Sequence, residues 1–442
     1  MRLRDLRRAA RAVERVSRGM KPAKNPLREM QGKLRAIQES HEERHRPTGF
    51  GFALADRIDY LDGALWDSVA GHGSIFMSRP VLRVMESAGP ENVMPRYILI
   101  FRGPRPVAAV VAQVVTITGA QVRRKNAAAE SARPMNVLKK LLAPAAAKAT
   151  EGWQERLVVA GNLMSWGCHG VAFVPEEDAA ELWTGVAEAL YRVRRAERLS
   201  GETNLALVKD LTAAHAGVET LKRFSYRPLT TEPNMVLALD PAWQTYEHYL
   251  GALDAKYRRK VKDIAKKLAA AGCVVETLTG DLGSESARLH ELYLAVQSNA
   301  TVRLVTLPPN YLPALAGAMG DAFRCTVIRQ AGRIVGFVTS LRDGDTAIGY
   351  YIGFDRALAA EGLPLYLQLL HATIADAIHW RCQRLSLGRT ALEPKAGLGA
   401  KPEAMSVWVR HRVPAFNWLL RGVLGAVPHA EAPERNPFKT GQ

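Results

Sequence analysis

The order of elements between Phe323 and Gly399 constrains the fold of this chain more than any other feature. Three short apolar-rich runs, separated by turn residues such as Asp343-Gly344, predict an antiparallel meander of three strands. These runs are residues 323–329, 334–341 and 346–352. A glycine-containing loop at 355–364 follows, and a helical pattern then extends from Leu365 to about Trp380. The third strand therefore leads through a loop into a helix N-terminus.

A helix that begins after such a loop can bind a phosphorylated ligand. Its first N–H groups have no partner inside the helix, and the helix dipole favours negative charge there. We expect the end of the third strand, the loop and the helix start to hold a phosphate-bearing cofactor. The candidate residues are Ile352, Gly353, Arg356, Gly362 and Leu363.

Length and composition are typical of a globular protein with more than one domain. The chain has 442 residues, of which 48% are hydrophobic and 23% charged. Its longest apolar stretch, Pro106–Ile117, is too short to cross a bilayer, so it predicts a buried strand. The arginine-rich start lacks the apolar run of a signal peptide, and the four cysteines lack zinc spacing. We expect a reduced, cytoplasmic protein without a metal.

The net charge of +17 indicates polyanionic partners, either nucleic acid, an anionic membrane surface or phosphorylated substrates. The alternative is a solvated basic surface without a partner. Residues 1–47 hold fourteen Lys/Arg and six Asp/Glu. This segment predicts a disordered or loosely helical basic extension. A helix lying on anionic lipid at the inner membrane face is the other interpretation.

The chain divides near residue 240 into two halves with a similar order of elements. Each half has a hairpin, a long helix and later strands, which predicts an α/β fold (α+β layered) with two tandem domains, each a mixed, mostly antiparallel sheet flanked by helices. In the first half we expect strands near 163–173 and at 234–239, the second of which closes the domain. The predicted divisions are 1–47 for the extension, 48–239 with a basic insertion near 118–157, 240–420, and a tail at 421–442.

Two segments resemble FemAB-like N-acyltransferases, which are double-GNAT proteins related to the aminoacyltransferases that build peptidoglycan bridges. They are Tyr249-Leu-Gly-Ala-Leu-Asp-Ala-Lys-Tyr-Arg-Arg-Lys-Val-Lys262 and Ser386-Leu-Gly-Arg-Thr-Ala-Leu-Glu-Pro-Lys-Ala-Gly-Leu-Gly-Ala400. The resemblance covers roughly residues 55–415. It implies transfer of an acyl or aminoacyl group to an amine, with acyl-CoA or aminoacyl-tRNA as donor.

The pyrophosphate loop departs from the family pattern of Gln/Arg-x-x-Gly-x-Gly/Ala. Arg356-Ala-Leu-Ala-Ala-Glu-Gly362 has alanine at the first glycine position and a displaced glycine. The corresponding loop of the first half, 174–178, has three acidic residues and no glycine. An acidic loop repels a pyrophosphate, so the first half is interpreted as a non-catalytic partner that shapes the acceptor groove.

Acyl transfer to an amine needs a neutral nucleophile, polarisation of the acyl carbonyl and a proton acceptor. Tyr350 and Tyr351 on the third strand are candidates for an acid or hydrogen-bond donor, although adjacent tyrosines on a strand are usually packing residues. Glu393 is a candidate general base, and Lys395 a ligand for a phosphate or carboxylate. The alternative for this second pair is an ordinary exposed ion pair.

Several basic and aromatic residues are candidates for binding the acceptor. The helix Lys256–Lys267 has seven basic residues and one acid, and its apolar stripe of Tyr257, Val261, Ile264 and Leu268 leaves Arg258 and Lys262 outward. A solvated face is the alternative. Further candidates are Arg303, Arg389, Thr390, and, in Ser165-Trp-Gly-Cys-His-Gly170, Trp166 and His169. Cys168 and His169 are adjacent on the expected strand, so they would point to opposite faces and form no catalytic pair.

The sequence therefore predicts an N-acyltransferase in which an amine attacks bound acyl-CoA directly in a ternary complex. The expected partners are a small-molecule or lipid-linked amine and an anionic membrane surface. Two alternatives stay open. One is an aminoacyl-tRNA-dependent transferase acting on a cell-wall precursor, with tRNA as partner. The other is a non-catalytic GNAT-like scaffold at the membrane surface. The oligomeric state is not predicted.

Overall fold

The computed structural model describes residues 46–118, 154–278, 281–298 and 304–413, with 416–417, 433, 435–439 and the single residues 32, 35, 39 and 42. Three predictions fall largely outside these ranges. They are nearly all of the basic extension, residues 119–153 of the basic insertion, and Arg303.

The first half is built on a mixed sheet. Its strands are β1 (Gly51–Ala55), β2 (Val93–Arg102), β3 (Arg105–Thr118), β4 (Gln154–Ala160), β5 (Val171–Phe173), β6 (Thr203–Leu211) and β7 (Arg227–Thr230). Its helices are α1 (Gly63–Ala70), α2 (Arg79–Ala88) and α3 (Ala179–Ala196). The valine-rich β3 is almost fully buried, as its apolar run predicted. The carboxylates of Asp62 and Asp178 accept N–H groups in the first turns of α1 and α3 and so fix where these helices begin.

The second half has the predicted meander and a helix-rich surround. Its strands are β8 (Asn234–Ala238), β9 (Cys273–Leu278), β10 (Phe323–Gln330), β11 (Arg333–Asp343), β12 (Thr346–Phe354), β13 (Arg384–Ser386) and β14 (Lys401–Glu403). A last strand, β15, is Ser406–His411. The helices are α4 (Tyr246–Ala252), α5 (Ala255–Ala270), α6 (Ser286–Gln297), α7 (Tyr311–Met319), α8 (Arg356–Ala360), α9 (Leu365–His379) and α10 (Leu392–Ala396).

The two sheets have the same plan and exchange strands. The first runs β1-β2-β3-β4-β6-β15-β7, with β5 beside β3, and the second runs β14-β8-β13-β12-β11-β10-β9. Each sheet contains one parallel pair, β4 with β6 and β12 with β13. The predicted α/β class with two mixed, mostly antiparallel sheets is confirmed.

The exchange changes the expected division at residue 240. We expected 234–239 to close the first domain, but β8 pairs with β13 and β14 of the second sheet. In return β15 lies between β6 and β7 of the first sheet. The alternating pattern of a strand indicates that it will pair but carries no information about which sheet receives it.

Two further expectations about local structure were wrong. Residues 163–173 do not form one strand, because β4 ends at Ala160 and the chain turns until Val171. Gly161 and Gly167 have φ of 130° and 125°, which other residues rarely adopt, and these angles make the turn possible. The expected loop 355–364 contains the short helix α8, which is capped by the Asp355 carboxylate.

The cores of the two halves are continuous across their contact. One buried cluster combines Trp66, Phe76 and Leu82 of the first half with Leu292, Tyr311 and Phe337 of the second. On the opposite face of the second sheet, α5 and α9 cover β10 and β11. The face carrying α6 and α7 therefore meets the first half, whereas α5 and α9 lie on the far side.

Candidate functional site

The parallel strands β12 and β13 separate soon after they meet. They are paired over three residues only, from Thr346 opposite Arg384 to Ile348 opposite Ser386. Beyond this point β12 continues to Phe354, whereas β13 ends. In the first sheet the corresponding β4 stays paired with β6 up to its last residue, Ala160. Of the two described parallel pairs, only that of the second half opens along its length.

A β-bulge distorts β12 at the start of this opening. Gly349 lies opposite Ser340 and Ile352 opposite Val338, so both Tyr350 and Tyr351 lie opposite Thr339. The Thr339 hydroxyl oxygen accepts the Tyr351 N–H at 3.0 Å and donates to the Tyr351 carbonyl at 3.3 Å. The bulge explains why the two adjacent rings lie together, with centroids 4.5 Å apart.

Both tyrosines face the first half and have bonded hydroxyls. Tyr350 shares a hydrogen bond of 2.9 Å with the Tyr311 hydroxyl, and Tyr351 donates to the Met164 carbonyl at 3.0 Å. Burial raises the pKa of each phenol well above its usual value. These side chains can donate hydrogen bonds but cannot serve as bases near neutral pH.

The loop after β13 brings Lys395 to the end of that strand. The Asn234 side-chain oxygen accepts the Gly388 N–H at 3.0 Å, and the Lys395 ammonium donates to the Gly388 carbonyl at 3.1 Å. Lys395 is only 3% exposed, and burial lowers the pKa of its amine to about 7. A lysine with this pKa is partly neutral at physiological pH, so it can accept a proton.

Glu393 does not lie beside Lys395 as a partner. It is on the outer face of α10, is 55% exposed, and forms an ion pair with Arg435. The two residues that we grouped from the sequence therefore have different environments. Only Lys395 is buried at the strand end.

Arg389 links the loop after β13 to the first half. Its guanidinium donates to the Asp210 carboxylate at 2.9 Å, and the same carboxylate accepts the Gly167 N–H at 3.1 Å and the Lys209 ammonium. Burial alone would raise the pKa of Asp210, but Lys209 and Arg389 outweigh it and lower that pKa. Thr390, the neighbour of Arg389, is exposed.

Lys209 and Asp210 were not among the residues predicted from the sequence. They end β6, and Asp210 is fully buried with a φ of 56°, a conformation that costs an aspartate free energy. Two adjacent charges at the end of the apolar run Leu205–Val208 were the available signal. Buried charges of this kind persist only when paired.

Trp166 and His169 lie in the turn after β4 rather than on a strand. A Cβ at Gly388 would be 3.0 Å from the Trp166 ring, which also lies about 6 Å from the rings of Tyr350 and Tyr351. The Trp166 indole N–H has no hydrogen-bond partner among the described residues. His169 stacks on Phe76 and bonds Ser165, and burial lowers the pKa of its imidazole to about 3.

Trp166 therefore lies at the contact between the halves, next to Gly388, whereas His169 is a packing residue. The thiol of Cys168 is also buried, and this raises its pKa. No nucleophile–base pair results from these neighbours.

The corner expected to hold a phosphate is more closely packed than we predicted. A Cβ at Gly353 would be 2.4 Å from the Phe337 ring and 2.6 Å from the backbone of α6, so this glycine is needed for packing. Ile352 and Leu363 pack into the apolar cluster beneath α9. The first N–H groups of α8 are bonded to Asp355, and Arg356 begins that helix.

Gly362, with a φ of 97°, makes the turn towards α9. Of the five residues predicted to bind a cofactor, three are therefore explained by packing. Ligand binding by these residues stays a prediction.

A cavity of about 320 Å³ lies instead between α5, α9 and α10. Its basic lining residues are Lys256, Lys260 and Arg435, and Glu393 is the one carboxylate among the described lining residues. Leu367 and His371 also line it, so the cavity lies along the side of α9. The remaining walls are apolar or aromatic and include Tyr249, Tyr257 and His371.

The predicted apolar stripe of α5 is confirmed, and a binding role for Arg258 and Lys262 stays a prediction. Ile264 and Leu268 are buried as expected. Lys262 is exposed, and Arg258 donates to the Gly251 carbonyl at 3.4 Å. Neither lines the cavity. The lysines of α5 that do are Lys256, which directly precedes Tyr257, and Lys260, one turn after Lys256.

Within the described ranges, no group of three or more His, Cys, Asp or Glu side chains is placed to hold a metal ion. Of the helices that the structure describes, none has the length and apolarity needed to cross a bilayer.

Residues 255–396 match the family model described as an acetyltransferase (GNAT) domain. The match begins at α5 and ends with α10, so it contains both the opened strand pair and Lys395. No curated protein matches this chain. The family predicted from the sequence, a FemAB-like double-GNAT protein, agrees with this match and with the repeated sheet plan of the two halves.

Solved structures resemble the chain over most of its length at low identity. FemX is 9% identical, and the likeness covers 83% of this chain and 99% of that chain with a TM-score of 0.48. A tandem GNAT protein from the clavulanic acid biosynthesis pathway is 10% identical with the same coverage and a TM-score of 0.47. L-PGS from Bacillus licheniformis is 10% identical, with 78% and 95% covered and a TM-score of 0.42. Likeness this distant carries no argument about function.

Proposed function

We propose that the protein transfers an acyl group from acyl-CoA to an amine acceptor, because residues 255–396 match the model of a GNAT acetyltransferase domain. The observation that carries the proposal is the opening between β12 and β13, with a bulge on one side and Lys395 on the other. Among the residues that the structure describes, no strand pairs with this edge of β12 beyond Ile348. Its backbone groups can therefore hold an extended donor.

The donor's phosphates would occupy the basic cavity, and its acyl group would lie near Gly388. α10 connects the two places, because Glu393, Pro394 and Gly397 line the cavity while Lys395 reaches Gly388. A phosphorylated end favours the cavity, since three cations and one carboxylate of the described residues line it.

Lys395 would supply the proton acceptor. The acceptor amine attacks the thioester carbonyl carbon, the C–N bond forms, and the C–S bond breaks to release a thiolate. The amine loses a proton to the neutral Lys395, and that proton can then pass to the departing sulfur. A base with a pKa near the working pH suits this step.

Trp166 and Arg389 would contact the acceptor at the boundary between the halves. The indole N–H of Trp166 has no hydrogen-bond partner among the described residues. Arg389, which follows Gly388 in the loop after β13, has a side chain that is 30% exposed. We propose that the first half is non-catalytic and that its 161–170 turn forms one wall of the acceptor site. A small-molecule or lipid-linked amine and a cytoplasmic location remain predictions.

The test compares donor binding and turnover in wild type and Lys395→Met. Acetyl-CoA, longer acyl-CoAs and free CoA should raise the melting temperature of both proteins as their concentration passes the dissociation constant. Transfer to a panel of amines should fall about 100-fold or more in Lys395→Met, since a positioned base contributes roughly that much. Lys266→Met, on the exposed face of α5, should match wild type.

One observation favours the alternative function of an aminoacyl-tRNA-dependent transferase. It is the presence of seven basic residues in Lys256–Lys267, which could bind tRNA phosphates. If no CoA species shifts the melting temperature but tRNA binds at low salt, that reading replaces the CoA proposal. If neither ligand binds, the scaffold alternative gains.

A further inference from the structure

The end of the chain returns to the second half beside the basic cavity. Phe438 forms a β-bridge with Leu253, the Asp254 N–H donates to the Pro437 carbonyl at 2.8 Å, and the Lys439 N–H donates to the Ala252 carbonyl at 3.1 Å. These bonds attach residues 435–439, here named the C-terminal strap, to the junction of α4 and α5. The strap is therefore held at backbone level.

Phe438 anchors the strap in the core. Its ring packs on Trp243 and Tyr249, with centroids 5.4 and 6.2 Å away. The ring also fills the space above Gly399, where a Cβ would lie only 2.3 Å from it. The φ of 94° at Gly399 requires glycine as well. Together these contacts fix the position of the residues that precede Phe438.

The residue so positioned at the cavity is Arg435. It lines the cavity and forms an ion pair with Glu393, with the two side chains 48% and 55% exposed. Exposed carboxylate–guanidinium pairs contribute little free energy, so this one can be exchanged for a stronger partner. A phosphate is such a partner, because it accepts two parallel guanidinium N–H bonds and carries more charge.

Lys256 and Lys260 line the same cavity. With Arg435 they place three cations around a space of about 320 Å³, where Glu393 is the one carboxylate among the described lining residues. The aromatic walls of Tyr249 and Tyr257 suit a planar group next to the phosphate.

We propose that the C-terminal strap completes the donor site and that Arg435 binds a phosphate of the donor in place of Glu393. The inference rests on the proposed function, since it assigns the cavity to a phosphate-bearing donor. It adds a specificity-determining residue that lies outside the 255–396 domain match. The shared chemistry is a phosphate group, which either CoA or the 3′ end of a tRNA would present.

The experiment measures the dissociation constant of CoA by calorimetry for wild type, Arg435→Gln, Phe438→Ala, the double variant and Lys266→Gln. Arg435→Gln should weaken binding about 10- to 100-fold, the effect of losing one charged hydrogen-bonded contact. Phe438→Ala should give a similar loss, because it releases the strap. The double variant should lose no more than either single variant, since both act through the position of one guanidinium.

Lys266→Gln removes the same charge from the exposed side of α5 and should leave the constant unchanged within about twofold. Melting temperatures without ligand show whether each variant is folded. Arg435→Gln removes only a half-exposed side chain, so it keeps the test valid if Phe438→Ala is unstable.

The outcomes separate this inference from the proposed function. If CoA binds wild type and Arg435→Gln equally, the role of the strap is wrong and the acyl-CoA proposal stands. If CoA does not bind but tRNA does, and Arg435→Gln weakens that binding, the phosphate site stands and the CoA proposal is wrong. If neither binds wild type, both are wrong.

Discussion

At the residue scale, Lys395 has the chemistry of an amine removed from water. It is buried at the end of β13, and its one described hydrogen bond goes to a backbone carbonyl rather than to an acid. Without a compensating carboxylate, desolvation lowers the pKa of its amine from 10.5 to about 7. Lys209 is equally buried, but it is paired with Asp210. Burial lowers the pKa of the Lys209 amine too, although the Asp210 carboxylate opposes this shift. No described carboxylate opposes it at Lys395.

The burial of Lys395 predicts a pH-dependent stability difference between wild type and Lys395→Met. Between about pH 7 and pH 10.5 the unfolded chain holds a proton on this amine that the folded chain lacks, so wild type should lose stability as pH falls through that window. Relative to Lys395→Met, the slope should approach about 1.4 kcal/mol per pH unit. Urea unfolding at several pH values measures it.

Lys266→Met provides the matched control, because Lys266 is exposed on α5. Its unfolding free energy should run parallel to that of wild type at every pH. Parallel curves for Lys395→Met as well would show that the amine of Lys395 is not desolvated in solution.

At the scale of elements, the bulge in β12 depends on one side chain of β11. Thr339 is fully buried, and its hydroxyl makes both bonds to the Tyr351 backbone that replace the missing ladder contacts. The bulge directs Tyr350 and Tyr351 to the same face and starts the separation from β13. A backbone irregularity of one residue therefore shapes the whole opening.

Thr339→Val should destabilise the protein and impair transfer. The substitution keeps the side-chain shape but leaves the Tyr351 N–H and carbonyl without their partner, at a cost of about 1–3 kcal/mol. Chemical denaturation and the transfer assay measure the two effects. Thr346→Val, at the half-buried first residue of β12, loses only a bond to Asp345 and should cost less than about 0.5 kcal/mol. Equal effects in both variants would contradict a special role for Thr339.

At the scale of the whole molecule, the two halves are interdependent. β8, which lies before residue 240, completes the second sheet, and β15, which lies after the second half's other strands, separates β6 from β7 in the first. The Asp210–Arg389 ion pair and the shared core around Phe76 and Phe337 join the halves further. Neither half has all of its strands within its own stretch of sequence.

Fragments cut after Leu239 should therefore fail to fold separately. A fragment of residues 46–239 would lack β15, and one of residues 240–442 would lack β8, so each would expose unpaired strand edges and aggregate. Co-expressed, they should assemble into one soluble complex. Circular dichroism and gel filtration check both results. A cooperative melting transition from either fragment alone would contradict the interdependence.

The elements themselves could be predicted from the sequence because their signals are local. Apolar residues that recur every second position, with turn residues between the runs, predict the β2–β3 hairpin and the meander β10–β12. Apolar residues that recur about every 3.6 positions predict the helices α3 and α5. The resemblance carried by 249–262 and 386–400 also identified the domain family from short segments. Of the candidate site, Lys395 and Arg389 were found this way, since both lie in one of those segments.

The sequence by itself thus determined which stretches become strands and helices, and the kind of domain they build. Only the tertiary structure decided which sheet receives β8 and β15, that Lys395 is buried while Glu393 is not, and that Arg435 returns to a cavity with Lys256 and Lys260. The physical reason is that strand pairing, desolvation and charge clustering depend on residues far apart in the chain, for which no local period provides a signal.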